Sequence, residues 1–168
     1  MMEVAITMPV TADLLRQAMR HWTTGVSVVT SCADGICHGM TVNSFTSVSL
    51  EPPLVTVTLN KQTRTQALVA KSRVFGVTIL SEGQEAISER FAGRQFEAEN
   101  RLAGLETFSL VTGVPLLKAG LVGLDCRVVF EYPMPDSVLY IAEVLAIQTG
   151  EPGWPLVYHN RAYYQLRR

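Results

Sequence analysis

The segment HGMTVNSFTSVSLEPPLVTVTLN, running from His38 to Asn60, decides how the chain is read. Its second half, PLVTVTLN from Pro53, alternates β-branched and apolar residues as a strand does. The first half has strand length and branching too. It nevertheless threads Thr41, Asn43, Ser44, Thr46, Ser47 and Ser49 between the apolar positions. At a period of two, Thr41, Asn43, Ser47 and Ser49 share one face with Phe45, while Met40, Val42, Val48 and Leu50 share the other. The plain reading is a strand with one solvated face. Such faces usually carry lysine and glutamate, yet no charge occurs from Gly39 to Leu50. Small neutral donors and acceptors suit a planar heteroaromatic ligand laid along the strand.

Outward from this segment the chain reads as short strands joined by tight turns. TTGVSVVTS (23–31) precedes it as a strand, and CADGIC (32–37) reads as a hairpin turning on Asp34-Gly35. In that register Ala33 pairs with Ile36, and Cys32 faces Cys37 in a close, non-hydrogen-bonded pair. One strand is expected from Ile36 towards Leu50, ended by EPP (51–53), and the next over Leu54–Leu59. Helices are expected at 11–22, with Thr11 as N-cap and a Leu15, Ala18, Met19, Trp22 stripe, and at 63–71. VFGVTIL (74–80) reads as a buried strand. Ser81 with Gln84 makes a capping box for a helix to about Phe91, closed by Gly93. Residues 94–113 read as a surface loop with a helical turn. Strands return at Leu121–Tyr132 and Val138–Gln148, and PLVYHNRAYYQL (155–166) reads as two short strands around His159-Asn160-Arg161. These elements predict a mainly β, antiparallel sheet closed into a barrel. A repeated βαβ alternation and a G-x-G-x-x-G are both missing, which argues against a Rossmann domain.

The 168 residues predict one domain spanning the whole chain. Hydrophobic residues make up 48% and charged ones 17%, so apolar surface is expected to be covered by a second copy or a large cofactor. A net charge of −1 and no basic block beyond the terminal Arg-Arg argue against nucleic-acid binding and membrane attachment. No apolar run reaches spanning length, and the N-terminus has no signal-peptide pattern, so a cytoplasmic location is expected. The three cysteines, Cys32, Cys37 and Cys126, form no C-x-x-C, and neither a zinc site nor a disulfide framework is expected. A Cys32–Cys37 bridge is sterically feasible, but a reducing compartment should keep both thiols free.

NKQTRTQ (60–66) is the clearest anion-binding candidate. A strand ends at Asn60 and a helix starts near Thr63, so unpaired N–H groups and the positive end of the dipole meet Lys61 and Arg64. A bare helix cap is the alternative. His21, at a helix end, reads as structural, and His38 has no second ligand pair for a metal. An exposed, ion-paired face is expected for Glu89 and Arg90. His159 and Tyr163 either reach a site or close a hairpin. No Ser-His-Asp order or carboxylate pair is present.

TTGVSVVTS, GMTVNSFTSVSLEPPLVTVTLNKQTRT (39–65), FGVTILSEGQEAISERFAG (75–93) and PLVYHNRAYYQL together resemble the short-chain flavin reductases, over residues 12 to 166. These are the reductase partners of two-component flavin-dependent monooxygenases. The resemblance implies a homodimeric, FMN-binding split β-barrel that uses NADH or NADPH to reduce FMN or FAD and releases the product to an oxygenase. It implies that Met40, Thr41, Val42 and Asn43 lie along the isoalloxazine, with Ser44 and Ser47 by the ring or ribityl chain. Asn60, Lys61, Thr63 and Arg64 would hold the ribityl and phosphate end. Phe91 and Ala92 would border the pocket, Thr24 and Gly25 would flank it, and His159 and Tyr163 would lie on the nicotinamide side. One departure is evident: where many members carry Gly-Asp-His, this chain has PMPDSVLYIAEV (133–144), keeping Asp136 but neither the Gly nor the His. A non-catalytic, flavoredoxin-like flavin carrier is the rival reading that this departure suggests.

Overall fold

A computed structural model describes residues 9–93 and 100–166. Helix α1 (Ala12–Met19) is capped by Thr11, whose hydroxyl accepts from the Leu14 amide, and it buries none of its residues. Strands β1 (Thr24–Gly25), β2 (Ser27–Ala33), β3 (Ile36–Val42), β4 (Thr46–Leu50) and β5 (Pro53–Asn60) follow. Next come α2 (Arg64–Ser72), β6 (Val74–Ile79) and α3 (Glu85–Phe91). The remaining strands are β7 (Thr107–Phe108), β8 (Leu116–Leu117), β9 (Val122–Pro133), β10 (Ser137–Thr149), β11 (Val157–His159) and β12 (Ala162–Tyr164). The short β7–β8 pair falls partly within the stretch read as a loop; residues 94–99 of that reading lie outside the described residues.

Turn chemistry sets the local pairings. Asp34 and Gly35 both take positive φ, 52° and 74°, giving the twisted turn that two-residue hairpins favour. The resulting β2–β3 register places Cys32 opposite Cys37. The two are bridged, with Cα atoms 4.1 Å apart, which corrects the expectation of free thiols. Directly opposed side chains of a non-hydrogen-bonded pair are already at bonding range, so the hairpin itself presents the bridge. The β11–β12 hairpin repeats the device, with Asn160 and Arg161 at φ 45° and 63°. Gln84 fills half of the expected capping box, its Oε1 accepting from the Ser81 amide at 2.7 Å.

The main sheet is antiparallel throughout, seven strands in the order β3-β2-β6-β9-β10-β5-β4. This corrects the reading of 36–50 as one strand. β3 and β4 lie at opposite edges of the sheet, although only Asn43, Ser44 and Phe45 separate them in the chain. The four steps from Val42 to Thr46 span roughly 14 Å at most, so the sheet must curl until its edges approach each other, as a split barrel does. No ladder joins β3 to β4 among the described residues. The alternating face read across 41–49 is therefore interrupted. Met40 and Phe45 both pack on the main core, and Ser47 is exposed on β4. Inside the curl lie Val29, Val57, Leu59, Phe75, Val77 and Tyr140, and Val69 of α2 packs among them. A second cluster, with Val28, Leu80, Phe91 and Leu156, packs outside β2. β2 is thus buried on both faces over residues 27–31, and two of its short polar side chains are bonded there: Thr30 donates to the Pro115 carbonyl and Ser31 to that of Val74.

Candidate functional site

The β3–β4 crossing is where the fold leaves space. β1 pairs with β11, Thr24 opposite Tyr158 and Gly25 opposite Val157, and the α1 end lies beside them. Together these elements enclose an open cleft of about 770 Å³. Met19, Trp22 and Thr23 line one side, Thr24, Gly25 and Ser27 another, and Val42, Asn43, Ser44, Phe45 and Thr46 a third, with Ile79 among them. The size falls in the range of small-molecule sites, and the mixture of rings, aliphatics and a few polar groups is typical of them.

A smaller cleft of about 200 Å³ adjoins it through Val42 and Asn43. Thr41, Ser88, Ala92, Tyr158 and Tyr163 complete its lining together with Val26. Its polar groups are interlinked: Thr41 Oγ1 donates to the Ser88 carbonyl at 2.6 Å. The Tyr163 hydroxyl lies 2.8 Å from Ser88 Oγ and 2.6 Å from Glu89 Oε1. Glu89 therefore faces this tyrosine rather than forming the solvent-facing surface expected for it, and Arg90 donates to the Ala103 carbonyl.

The β5–α2 turn folds as its sequence predicts but lines neither cleft. Thr63 caps α2, Asn60 Oδ1 accepts from the Gln62 amide at 2.8 Å, and Lys61 Nζ reaches the Met134 carbonyl. Beyond the cap, the buried His38 ring lies 2.8 Å from Thr65 Oγ1. Burial, and then the charges of Arg101 and Arg64, push the His38 pKa down to about 4. Arg101 in turn donates to the carbonyls of Phe91 (2.8 Å) and Gly39 (3.2 Å), beside Ala92 of the smaller cleft. Two guanidiniums that lie far apart in the sequence thus act on one buried ring beside the cleft system.

Thr24, Gly25, Val42, Asn43 and Ser44 meet in the large cleft, and Thr41, Ala92 and Tyr163 in the small one. Met40 faces the core, Ser47 lies outside both clefts, and Phe91 is fully buried beneath Gly39. His159 Nδ1 lies 2.9 Å from Thr23 Oγ1, one residue behind the cleft wall. Trp22, Thr23, Phe45, Ile79 and Arg101 were not singled out as site residues. Trp22 is 67% exposed and lies beyond the end of α1 at Met19, which corrects the expectation of a helix to residue 22 with Trp22 on its apolar stripe.

A flavin fits these residues. Thr24 Oγ1 is buried with no hydrogen-bond partner among the described residues, although Thr24 lines the large cleft. Buried hydroxyls rarely stay unpaired, so this one is poised for a polar edge inserted between apolar walls.

Comparison with known proteins gives the same answer. Residues 19–167 match the flavin reductase like domain. The chain belongs to that family. It is 36% identical to an NADH-dependent flavin reductase of Rhodococcus sp, over 90% of this chain and 85% of that one. The reductase component of 4-hydroxyphenylacetate 3-monooxygenase from Thermus thermophilus is 34% identical over 92% and 96% of the two chains. Among solved structures, flavin reductase PheA2 in its native state superposes with a TM-score of 0.86 at 34% identity, covering 95% of this chain and all of that one. The antiparallel, nearly closed sheet is therefore the flavin reductase fold.

Proposed function

We propose that this protein is an NAD(P)H:flavin oxidoreductase acting on FMN or FAD, and that it hands reduced flavin to a flavin-dependent monooxygenase. The observation that carries the reading is the large cleft, lined by Thr24, whose buried hydroxyl has no partner among the described residues, and by Trp22, Phe45, Ile79 and Asn43. Relatives named as NADH-dependent flavin reductase and as monooxygenase reductase component support it.

The chemistry, hydride passing from a dihydronicotinamide to a flavin, belongs to the cofactors. The chain's own residues bind, orient and exclude water. In this reading Thr24, Gly25, Thr41, Val42, Asn43 and Ser44 wall the ring, and Ala92 borders the same pocket. Arg64, with Lys61, Asn60 and Thr63 on the same turn, faces the phosphate end, and Arg101 adds its charge. Tyr163 and His159 stand on the nicotinamide side. No acid–base pair is needed, so none of these is expected to be singly indispensable.

The missing Gly-Asp-His is what suggests a carrier as the rival reading; here the Asp136 backbone carbonyl accepts from the Lys61 amide at 3.0 Å. Relatives named as NADH-dependent flavin reductases support the reductase over the carrier. Mixing the protein with FMN and NADH and following NADH absorbance separates the two. Fast, flavin-dependent loss supports the reductase; retained flavin with no loss supports the carrier. The chain is further read as one cytoplasmic domain that forms a homodimer. Support for the dimer is apolar surface left open on α1 (Leu14, Leu15, Met19) and on β9 (Phe130, Tyr132), checked by light scattering. Among the described residues, no helix is long and apolar enough to cross a membrane.

A further inference from the structure

A third cleft, of about 220 Å³, opens between the end of α1 and the β11–β12 turn. Arg16, Arg20 and Arg161 line it together with Trp22, Tyr158 and Asn160, and no acidic residue does. Asn43 belongs to all three clefts, so this one is continuous with the proposed flavin wall. Arg16 is paired with Asp13 at 2.6 Å. Arg20 and Arg161 differ: their guanidiniums have no hydrogen-bond or ion-pair partner among the described residues, and Arg20 Nε is buried.

Local structure holds the two arginines in place. The Asn160 amide donates to the Arg20 carbonyl at 3.0 Å, tying the turn to the helix end. A carbonyl-ended helix repels anions, so any anion here is held by the side chains. Guanidinium forks match phosphate oxygens, and an exposed indole alongside offers a base a stacking surface. We propose that this cleft binds the ADP group of a dinucleotide, the diphosphate on Arg20 and Arg161 and the adenine on Trp22. That group is common to FAD and to NAD(P)H. The proposal rests on the reductase reading for its context, but its first test does not.

ADP itself is the probe. Calorimetric titration of ADP into the wild-type chain should show binding that weakens with added salt. Arg161→Asn, which keeps a residue tolerant of the left-handed turn, and Arg20→Gln should each weaken it about tenfold. ADP that fails to bind, or binds all three proteins equally, overturns the proposal. Flavin fluorescence titrations and NADH kinetics then identify the source. A rise in the Kd of FAD but not of FMN assigns the ADP group of the flavin. A rise in KM for NADH, with kcat and both flavin Kd values held, assigns that of the nicotinamide dinucleotide. FMN and FAD weakening together would place the arginines on the shared flavin phosphate and so overturn the assignment. A wild type that binds ADP but neither flavin would instead refute the reductase reading alone.

Discussion

The Ser44 hydroxyl donates to the Thr58 carbonyl at 3.0 Å and accepts from the Thr58 amide at 3.2 Å. A side chain thereby takes the place of a strand partner where β4 has ended, since the β4–β5 ladder reaches only Thr46 opposite Thr56. This link pins the crossing segment that walls the large cleft. Ser44→Ala leaves both backbone groups of Thr58 without that partner and should cost about 1–2 kcal/mol. Thermal unfolding should shift down by about 2–6 °C, and flavin affinity should fall with it. An unchanged melting curve would show that the link contributes nothing.

Thr24 makes the opposite prediction for stability and binding. Its hydroxyl is buried and unpartnered among the described residues, so Thr24→Val removes a desolvated polar group and should stabilise the flavin-free protein by about 1 kcal/mol. Flavin affinity, measured by fluorescence titration, should drop by about five- to tenfold. Equal flavin affinity in the two proteins would remove Thr24 from the site.

His38 ties stability to pH. Its folded pKa, lowered by burial and by Arg101 and Arg64, is about 4 against an ordinary 6.5. The unfolded chain therefore takes up the proton first as pH falls. Stability from this group is complete above pH 6.5 and declines towards pH 4, by up to about 3 kcal/mol. Denaturant unfolding over that window should show the decline, and His38→Gln should flatten it.

Gly39 is required by a neighbour rather than by its backbone angle. A Cβ there would lie 2.7 Å from Phe91 Cε1 and 3.1 Å from Thr30 Cγ2. Phe91 is fully buried, so it has little room to retreat. Gly39→Ala should cost about 1–3 kcal/mol by overpacking, with urea midpoints as the measure.

The Cys32–Cys37 bridge closes a loop already shaped by the Asp34-Gly35 turn. Cys32→Ser with Cys37→Ser should cost no more than about 2 kcal/mol, the chain-entropy value for so short a loop. FMN affinity should not change, because neither cysteine lines a cleft. A larger loss would mean that the bridge, rather than the turn, sets the hairpin.

Much of the fold was legible in the residues because its causes are local. Asp34-Gly35 and Asn160-Arg161 turn their hairpins, Thr11 and Thr63 cap their helices, and β-branched runs mark β2, β5 and β6. The break at Asn43–Phe45 was not legible: no glycine or proline announces it. Its cause is the need to cross from one sheet edge to the other, met by Ser44 bonding to a strand 14 residues on. The Cys32–Cys37 register was likewise local, whereas the bridged state was misread from an assumed compartment.

The candidate site divides in the same way. Short polar residues around Asn43 and the cap at Thr63 are properties of contiguous sequence, and the sequence alone marked them. The tertiary structure alone brought Trp22, Thr24, Phe45 and Ile79 around one cleft, set Arg20 and Arg161 on another, and placed His38 under the charges of both Arg64 and Arg101. Those groupings join residues from elements far apart in the chain. They arise from how a seven-stranded sheet curls and where its short outer strands dock, and no local spacing encodes that.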